Sequence, residues 1–225
     1  MRKSNTILII ILISFTTACF NNSSNPLYTQ EETDSIEKSN KLLNLYLDSA
    51  FIELNNWKHA EAIPFLDKCI DLNPNWHYLY NLRACCYMHK NSINDSLNNR
   101  MAVKDFSKAI FLYDKISDYY NNRGWSYQML ENYAYALSDF KSAASISPDS
   151  VYLHNNILRV LFLTHKNKLA LELADSLILN FTDCGYAYYI RGHLKRDYLH
   201  KYIEGNKDIK KSKELDWEKG VKIIY

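Results

Sequence analysis

The chain has 225 residues, of which 47% are hydrophobic and 23% are charged, a composition ordinary for a globular protein with a sizeable core. Only five glycines are present, and they form neither of the glycine-rich loop motifs that bind nucleotide phosphates. The formal net charge is +2 and falls to zero without Arg2 and Lys3, so nothing indicates nucleic acid as a partner.

The start of the chain indicates export. Two basic residues precede a short apolar run, residues 7–13, and small residues at 16–18 lead to Cys19. Because the apolar run is too short to cross a bilayer, residues 1–18 are typical of a secretory signal peptide rather than a membrane span.

Small residues followed directly by Cys19 resemble a bacterial lipoprotein cleavage box. The resemblance implies a lipidated Cys19 that anchors the protein in the bacterial cell envelope. The absence of Asp after the cysteine, where Phe20 stands, implies the outer membrane facing the periplasm. The alternative is a plain secreted protein in which Cys19 is incidental.

Residues 19–35 are polar and aperiodic, which predicts a flexible tether. Apolar residues then recur at helical three- and four-residue steps, which predicts a first helix from about Ile36 to Leu54 and a second from about Lys58 to Leu72. Pro74 follows the second helix, as expected of a residue that cannot continue one.

Further helix pairs follow at a regular interval. We expect five repeats in all, at about residues 41–74, 75–116, 117–150, 151–184 and 185–216. The second repeat is longer because a polar run, residues 91–100, separates its two helices. The last residues, 217–225, predict a C-terminal cap or docking segment with five apolar side chains: Trp217, Val221, Ile223, Ile224 and Tyr225.

The third repeat carries the most informative motif. Its characteristic residues are Tyr120, Arg123, Gly124, Tyr127, Ala136, Phe140, Ala143 and Pro148. Arg123-Gly124 recurs as Arg191-Gly192, and the Asp-Phe-Ala pattern of Asp139, Phe140 and Ala143 occurs one period earlier as Asp105, Phe106 and Ala109. This spacing resembles the 34-residue tetratricopeptide repeat (TPR). The resemblance implies an all-α, right-handed superhelical solenoid of about five helical hairpins.

The resemblance also implies a concave groove lined by the first helix of each repeat, through positions 2, 5, 6, 9, 12 and 13. Carried onto this chain, those positions give the candidate groove residues Tyr78, Asn81, Asn121, Asn122, Trp125, Gln128, Tyr152, Asn155, Asn156, Arg159, Tyr186, Tyr189, His193 and Arg196. Asn side chains both donate to and accept from a peptide backbone, and aromatic rings offer rigid contact area. The alternative is that these residues form a solvated face or settle contacts between helices.

The charges in this groove separate two kinds of ligand. Family members that hold a peptide's terminal carboxylate use basic residues at positions 2, 5 and 6, and this chain has none there. Arg159, His193 and Arg196 would instead make the last third of the groove positive and suited to an acidic partner. A separate set of arginines, Arg83, Arg123 and Arg191, falls on the packing side and predicts a structural role.

Catalytic and metal chemistry find little support. No H-E-x-x-H or G-x-S-x-G motif occurs, and acidic residues are scattered as on solvated helix faces. We therefore expect no catalytic residue, no metal site, no cofactor and no small-molecule substrate. Four further cysteines, Cys69, Cys85, Cys86 and Cys184, are expected to fill the core, with a bridge from Cys69 to Cys86 or Cys85 as the alternative.

The sequence thus predicts a non-catalytic, lipid-anchored scaffold or adaptor that binds a protein or peptide in its groove and contacts the membrane only through the lipid. The alternative is a permanent structural subunit of an envelope complex, which docks through the convex face or through residues 217–225.

Overall fold

The structure is a computed structural model that describes residues 29–90, 95–181 and 184–215. These residues form α-helices and one π-helical turn, with no strand among them, as predicted for an all-α protein. In chain order the helices are α1 (Gln30–Asn55), α2 (His59–Leu72), α3 (His77–His89), α4 (Ser96–Leu112), α5 (Ser117–Met129), α6 (Tyr133–Ile146), α7 (Val151–Leu163), α8 (Asn167–Asn180), α9 (Gly185–His193), the π-helical turn Leu194–Tyr198, and α10 (Tyr202–Glu214). The predicted signal peptide, Cys19 and the segment 217–225 lie outside the described residues.

The chain divides into two compact units, of which the first ends at Leu45. The described part of this unit is the first half of α1, and two reciprocal hydrogen bonds between Thr29 and Glu32 cap the N-terminus of this helix. The Thr29 N–H donates to Glu32 Oε2 at 2.7 Å, and the Glu32 N–H donates to Thr29 Oγ1 at 3.2 Å. Because this capping box satisfies two backbone donors, α1 begins at Gln30 rather than near Ile36. Residues 30–35, which we predicted to be part of the tether, are therefore helical.

The second unit begins at Tyr46 and contains the helix pairs. Four of the five pairs are joined by a similar tight turn, in which one non-glycine residue adopts a left-handed conformation. These residues are Trp57, Glu131, His165 and His200, with φ between 55° and 61°. In the turn after α5, for example, the Asn132 N–H donates to the Tyr127 carbonyl at 2.8 Å. The turns at Trp57 and His165 have the equivalent bond, from Lys58 to Glu53 and from Lys166 to Leu161, and each bond satisfies a carbonyl at the helix end. At His200 the Lys201 N–H reaches one residue further back, to the Lys195 carbonyl.

Small residues stand where the two helices of a pair meet. A Cβ on Gly124 would lie 2.8 Å from the Phe140 ring, so glycine lets α5 and α6 approach this closely without displacing that ring. Ala136 and Ala143 on α6 are fully buried. The motif residues of the third repeat therefore act as the resemblance implied, by closing the hairpin around Phe140.

Three arginines tie the second helices together, which confirms the structural role predicted for them. Each forms a two-pronged pair with an aspartate of its own repeat and extends Nη1 to the second helix of the preceding repeat. The partners are Asp105 and Asp67 for Arg83, Asp139 and Ser107 for Arg123, and Asp208 and Asp175 for Arg191, at 2.7–3.0 Å. Burial alone would lower the pKa of Arg123, but the hydrogen bonds and charge of Asp139 outweigh it and raise that pKa. We call this set of contacts the arginine ladder.

The fourth repeat has no arginine in the ladder. Ile157 stands where the second, third and fifth repeats have arginine, and Leu173 stands where they have aspartate. Ile157 is buried in a large apolar cluster, and Leu173 packs against the same cluster. Apolar packing therefore replaces the ion pair in the fourth repeat.

The fifth repeat contains one additional residue, and the π-helical turn accommodates it. Asp139 follows Arg123 by 16 residues, whereas Asp208 follows Arg191 by 17. A π turn widens the helix by one residue per turn, so the bidentate pair between Arg191 and Asp208 is kept. Lys195, within the π turn, also donates to Asp208 at 2.9 Å.

Replacing Ser107 with aspartate should stabilise the protein. The change gives Arg123 a second carboxylate, which the equivalent residues Asp67 and Asp175 supply in the other two levels of the ladder. Because those two side chains are 48% and 61% exposed, we expect a gain of only about 0.5–1 kcal/mol in the free energy of unfolding. Urea denaturation at low salt measures it. Ser107→Asn is the uncharged control, and an equal gain in that variant, or a gain that does not shrink at high salt, contradicts the prediction.

Candidate functional site

Six of the predicted groove residues are bonded in pairs between α5 and α7. The pairs are Asn121 with Asn156 at 2.7 Å, Trp125 with Tyr152 at 3.2 Å, and Gln128 with Arg159 at 3.0 and 3.2 Å. On each helix the members recur at three- and four-residue spacing, which puts them on one side of the helix. Together they form a polar and aromatic layer between the two helices, in which Asn121 and Asn156 are buried and the other four are partly exposed, and which we call the α5–α7 face.

Arg159 lies over the indole of Trp125, with its guanidinium carbon 3.7 Å from the ring centroid. Such a stack is attractive because the ring face is electron-rich. Within residues 29–90, 95–181 and 184–215, no carboxylate forms an ion pair with Arg159. Burial lowers the pKa of Arg159 to about 10, an effect that Tyr186 and Tyr152 partly oppose. Arg159 is thus a half-buried cation that has no counterion within the described part of the chain.

Asn155 precedes Arg159 by one helical turn and is 9% exposed. Its Oδ1 is buried, with no hydrogen-bond partner among the described residues. The Oδ1 of Asn81, at the same position of the second repeat, is in the same state. Asn122 is different, since its Oδ1 accepts from the Asn121 amide at 3.2 Å. Two of the predicted groove asparagines therefore carry a buried acceptor that lacks a donor.

The candidates of the fifth repeat form a second group. Tyr186 and Tyr189 stack with their ring centroids 6.2 Å apart, and His193 packs edge-on against Tyr189 at 4.5 Å. The Arg196 Nε donates to Asp197 at 2.7 Å, so its charge is compensated locally. The positive character predicted for this end of the groove therefore rests on Arg159 far more than on Arg196.

Sequence reasoning missed a contact between α3 and α5. The Tyr119 hydroxyl lies 2.7 Å from His77 Nδ1, and Tyr119 is 2% exposed. Burial raises the pKa of Tyr119 and also that of the predicted groove residue Tyr78. The sequence feature that could have indicated this contact is the pairing of Tyr119, the third residue of α5, with His77, the first residue of α3. Because neither position belongs to the expected groove set, neither was selected.

Burial makes the cysteine side chains of the helix pairs poor nucleophiles. Burial raises the pKa of Cys85 to about 12, so the thiol is protonated at neutral pH and is a poor nucleophile. Cys69, Cys86 and Cys184 are buried among apolar side chains. In the described part of the chain, no group of His, Cys, Asp and Glu is placed to hold a metal ion.

None of the helices within the described ranges combines the length and the hydropathy that crossing a membrane requires.

Comparison with known proteins gives a likeness of structure only. No protein-family model matches the chain, and no curated protein matches it in sequence. A crystal structure of MamA protein superimposes with a TM-score of 0.68 at 17% identity, over 82% of this chain and 97% of that one. YrrB, described as a TPR protein with an unusual peptide-binding site, superimposes with a TM-score of 0.64 at 17% identity, over 81% of this chain and 91% of that one. PilF from Pseudomonas aeruginosa gives 0.58 at 16% identity, over 76% and 75%.

Identities this low show the fold alone. Together with the helix pairs and their glycine and alanine contacts, they establish that the chain has the all-α solenoid fold of tetratricopeptide repeat proteins.

Proposed function

We propose that the protein is a non-catalytic scaffold that binds a peptide or protein segment on the α5–α7 face and on the neighbouring first helices. One observation carries the proposal. Asn155 lies on α7 beside this face, and its buried Oδ1 has no hydrogen-bond donor among the described residues. An unsatisfied buried acceptor costs about 1–3 kcal/mol, and a backbone N–H from a bound peptide would recover that cost. Trp125 and Tyr152 supply rigid aromatic area next to it. The peptide-binding site described for YrrB, a protein of the same fold, is consistent with this use.

A crosslinking pull-down from native membranes tests the proposal. We compare the wild type with a variant in which Asn121, Trp125 and Asn155 are changed to alanine. We expect a specific partner to be lost while helical content stays unchanged. The matched control changes two asparagines and one tryptophan outside the groove set, namely Asn132, Asn180 and Trp57. Retention of the partner by the first variant, or equal loss in both, contradicts groove binding.

The proposed site of action is the bacterial cell envelope, with a lipid on Cys19 as the only membrane contact. The support is the small-residue and cysteine pattern at residues 16–19. Palmitate labelling in cells tests it: we expect label in the wild type and none in Cys19→Ser, together with release of that variant from the membrane fraction. Equal labelling of both contradicts the lipid anchor.

A permanent structural subunit is the second candidate. It is favoured by an apolar surface at the start of α10, where Ile203 is 88% and Tyr202 is 58% exposed. In the same pull-down, this role predicts that Ile203→Ser with Tyr202→Ser loses the partner while the groove variant keeps it. The two candidates are therefore separated by one experiment.

A further inference from the structure

The half-buried arginines of the first helices differ in the charge of their hydrogen-bond partners. Arg83, Arg123 and Arg191 are 16–19% exposed, and each is bound to an aspartate. Arg159 is also half-buried, yet among the described residues its acceptor is the neutral amide of Gln128. A guanidinium removed from water without a counterion carries a desolvation cost that a carboxylate offsets.

The hydrogen bonds of Arg159 leave one edge of its guanidinium without an acceptor among the described residues. Its Nε and Nη2 both donate to Gln128 Oε1, at 3.2 and 3.0 Å. A guanidinium has five N–H donors, so both donors of Nη1 and one of Nη2 remain, and no acceptor for them lies in the described part of the chain. Nη1 and Nη2 form the planar fork that pairs with the two oxygens of a carboxylate. The stack on Trp125 fixes the plane of this fork.

Asn155 provides the second point of recognition. Its unpartnered Oδ1 precedes Arg159 by four residues, about 6 Å along the helix. An extended peptide advances about 3.3 Å per residue. One bound peptide can therefore donate a backbone N–H to Asn155 and place a carboxylate at Arg159, with these two peptide groups about two residues apart.

We propose that the ligand of the α5–α7 face is an acidic protein segment, whose carboxylate pairs with the free edge of Arg159 while a nearby backbone N–H donates to Asn155. This inference rests on the proposed function and names the chemistry of the partner. The low pKa of Arg159, caused by burial, agrees with a site that gains from a bound anion. The carboxylate comes from an Asp or Glu side chain or from a C-terminus, and the experiment distinguishes these two sources.

The test uses a position-scanning library of synthetic nonapeptides and the full folded chain at low salt. One set of peptides has amidated C-termini, so that only side chains supply carboxylates, and the other has free C-termini. We expect the wild type to select Asp or Glu at one position in the amidated set. Binding of peptides with a free C-terminus, whatever their sequence, together with loss of that binding on amidation, assigns the carboxylate to the C-terminus instead. Binding of selected peptides is then measured by quenching of tryptophan fluorescence.

Three variants separate binding from folding. Arg159→Gln should weaken the selected acidic peptide by about tenfold or more, as expected for loss of a charge-assisted pair. Gln128→Glu gives Arg159 a carboxylate partner within the protein itself. It should abolish the acidic preference while the melting temperature stays at or above that of the wild type. Arg100→Gln makes the same change of net charge on an exposed position of α4 and should leave binding unchanged.

The outcomes are distinct. If the wild type binds amidated and free peptides equally and without any preference for acidic residues, or if Gln128→Glu retains the wild-type preference, the carboxylate site is wrong while groove binding stands. If no peptide in either set binds the wild type, the proposed groove function fails and the carboxylate site fails with it.

Discussion

Replacing Arg123 with alanine should lower the free energy of unfolding by about 3 kcal/mol or more. The change leaves the carboxylate of Asp139, whose side chain is only 6% exposed, without the two donors that now reach it at 2.7 and 2.8 Å. Removing one partner of such a buried pair costs more than the pair contributes, because the remaining charge stays buried and unpaired. The loss is large against the 5–15 kcal/mol of a typical domain, and urea denaturation followed by circular dichroism measures it.

The fourth repeat supplies the matched control for this prediction. It carries Ile157 and Leu173 at the equivalent positions. A double variant, Arg123→Ile with Asp139→Leu, should therefore recover most of the loss and unfold within about 1 kcal/mol of the wild type. A double variant that is no more stable than Arg123→Ala contradicts the explanation, since it would show that the ion pair itself, rather than the orphaned carboxylate, determines stability.

Replacing Gly205 with alanine should loosen the packing within the last repeat and leave the preceding repeats intact. The new Cβ would lie 2.6 Å from the Gly192 carbonyl oxygen and 2.9 Å from the Arg196 backbone nitrogen, so helix α10 must move away. Overpacking of this kind costs about 1–3 kcal/mol or somewhat more, and the better helix propensity of alanine returns about 1 kcal/mol. We place the expected cost at the high end because both obstacles are backbone atoms, which leaves a net loss of about 2 kcal/mol.

The loss should be local, because each repeat contacts mainly its neighbours. Hydrogen exchange should show that α9 and α10 lose protection while α5, α6 and α7 keep theirs. Gly124→Ala is the comparison: its Cβ meets the Phe140 ring, a side chain that can rotate, so its cost should be smaller. Uniform loss of protection along the chain in Gly205→Ala, or a larger effect at Gly124, contradicts the assignment.

Much of the fold was predictable because repetition amplifies weak local signals. The 34-residue spacing of Arg, Gly, Asp, Phe and Ala located the helix pairs, since each of these residues has a packing role at a fixed place in the hairpin. The early start of α1 was also encoded, in the Thr29 and Glu32 capping box, although the polar composition of residues 19–35 indicated a tether. The π turn was not predictable in the same way. Sequence shows that the fifth repeat has one more residue, but it does not show that the residue is accommodated in a π turn at Leu194–Tyr198, between the packed glycines Gly192 and Gly205.

The candidate site was predictable as a surface and not as a set of contacts. Repeat positions selected the side chains that share the first-helix face, including Trp125 and Arg159. Which of them bond to one another depends on the offset between neighbouring helices, and a single sequence does not contain that offset. The difference between Arg159 and Arg196 is of this kind. Arg196 finds its counterion in the adjacent Asp197, whereas among the described residues the acceptor of Arg159 is the neutral Gln128 amide.

The interruption of the arginine ladder makes the order of the repeats matter. Lys141 on α6 stands at the position that Asp175 occupies one repeat later, and it is tolerated there because the next first helix presents Ile157 and no arginine. If recombination removed residues 151–184, Arg191 would face Lys141 in place of Asp175, and two like charges would meet at the new junction. We therefore expect that loss of this repeat destabilises the array, because the charges at the new junction repel each other.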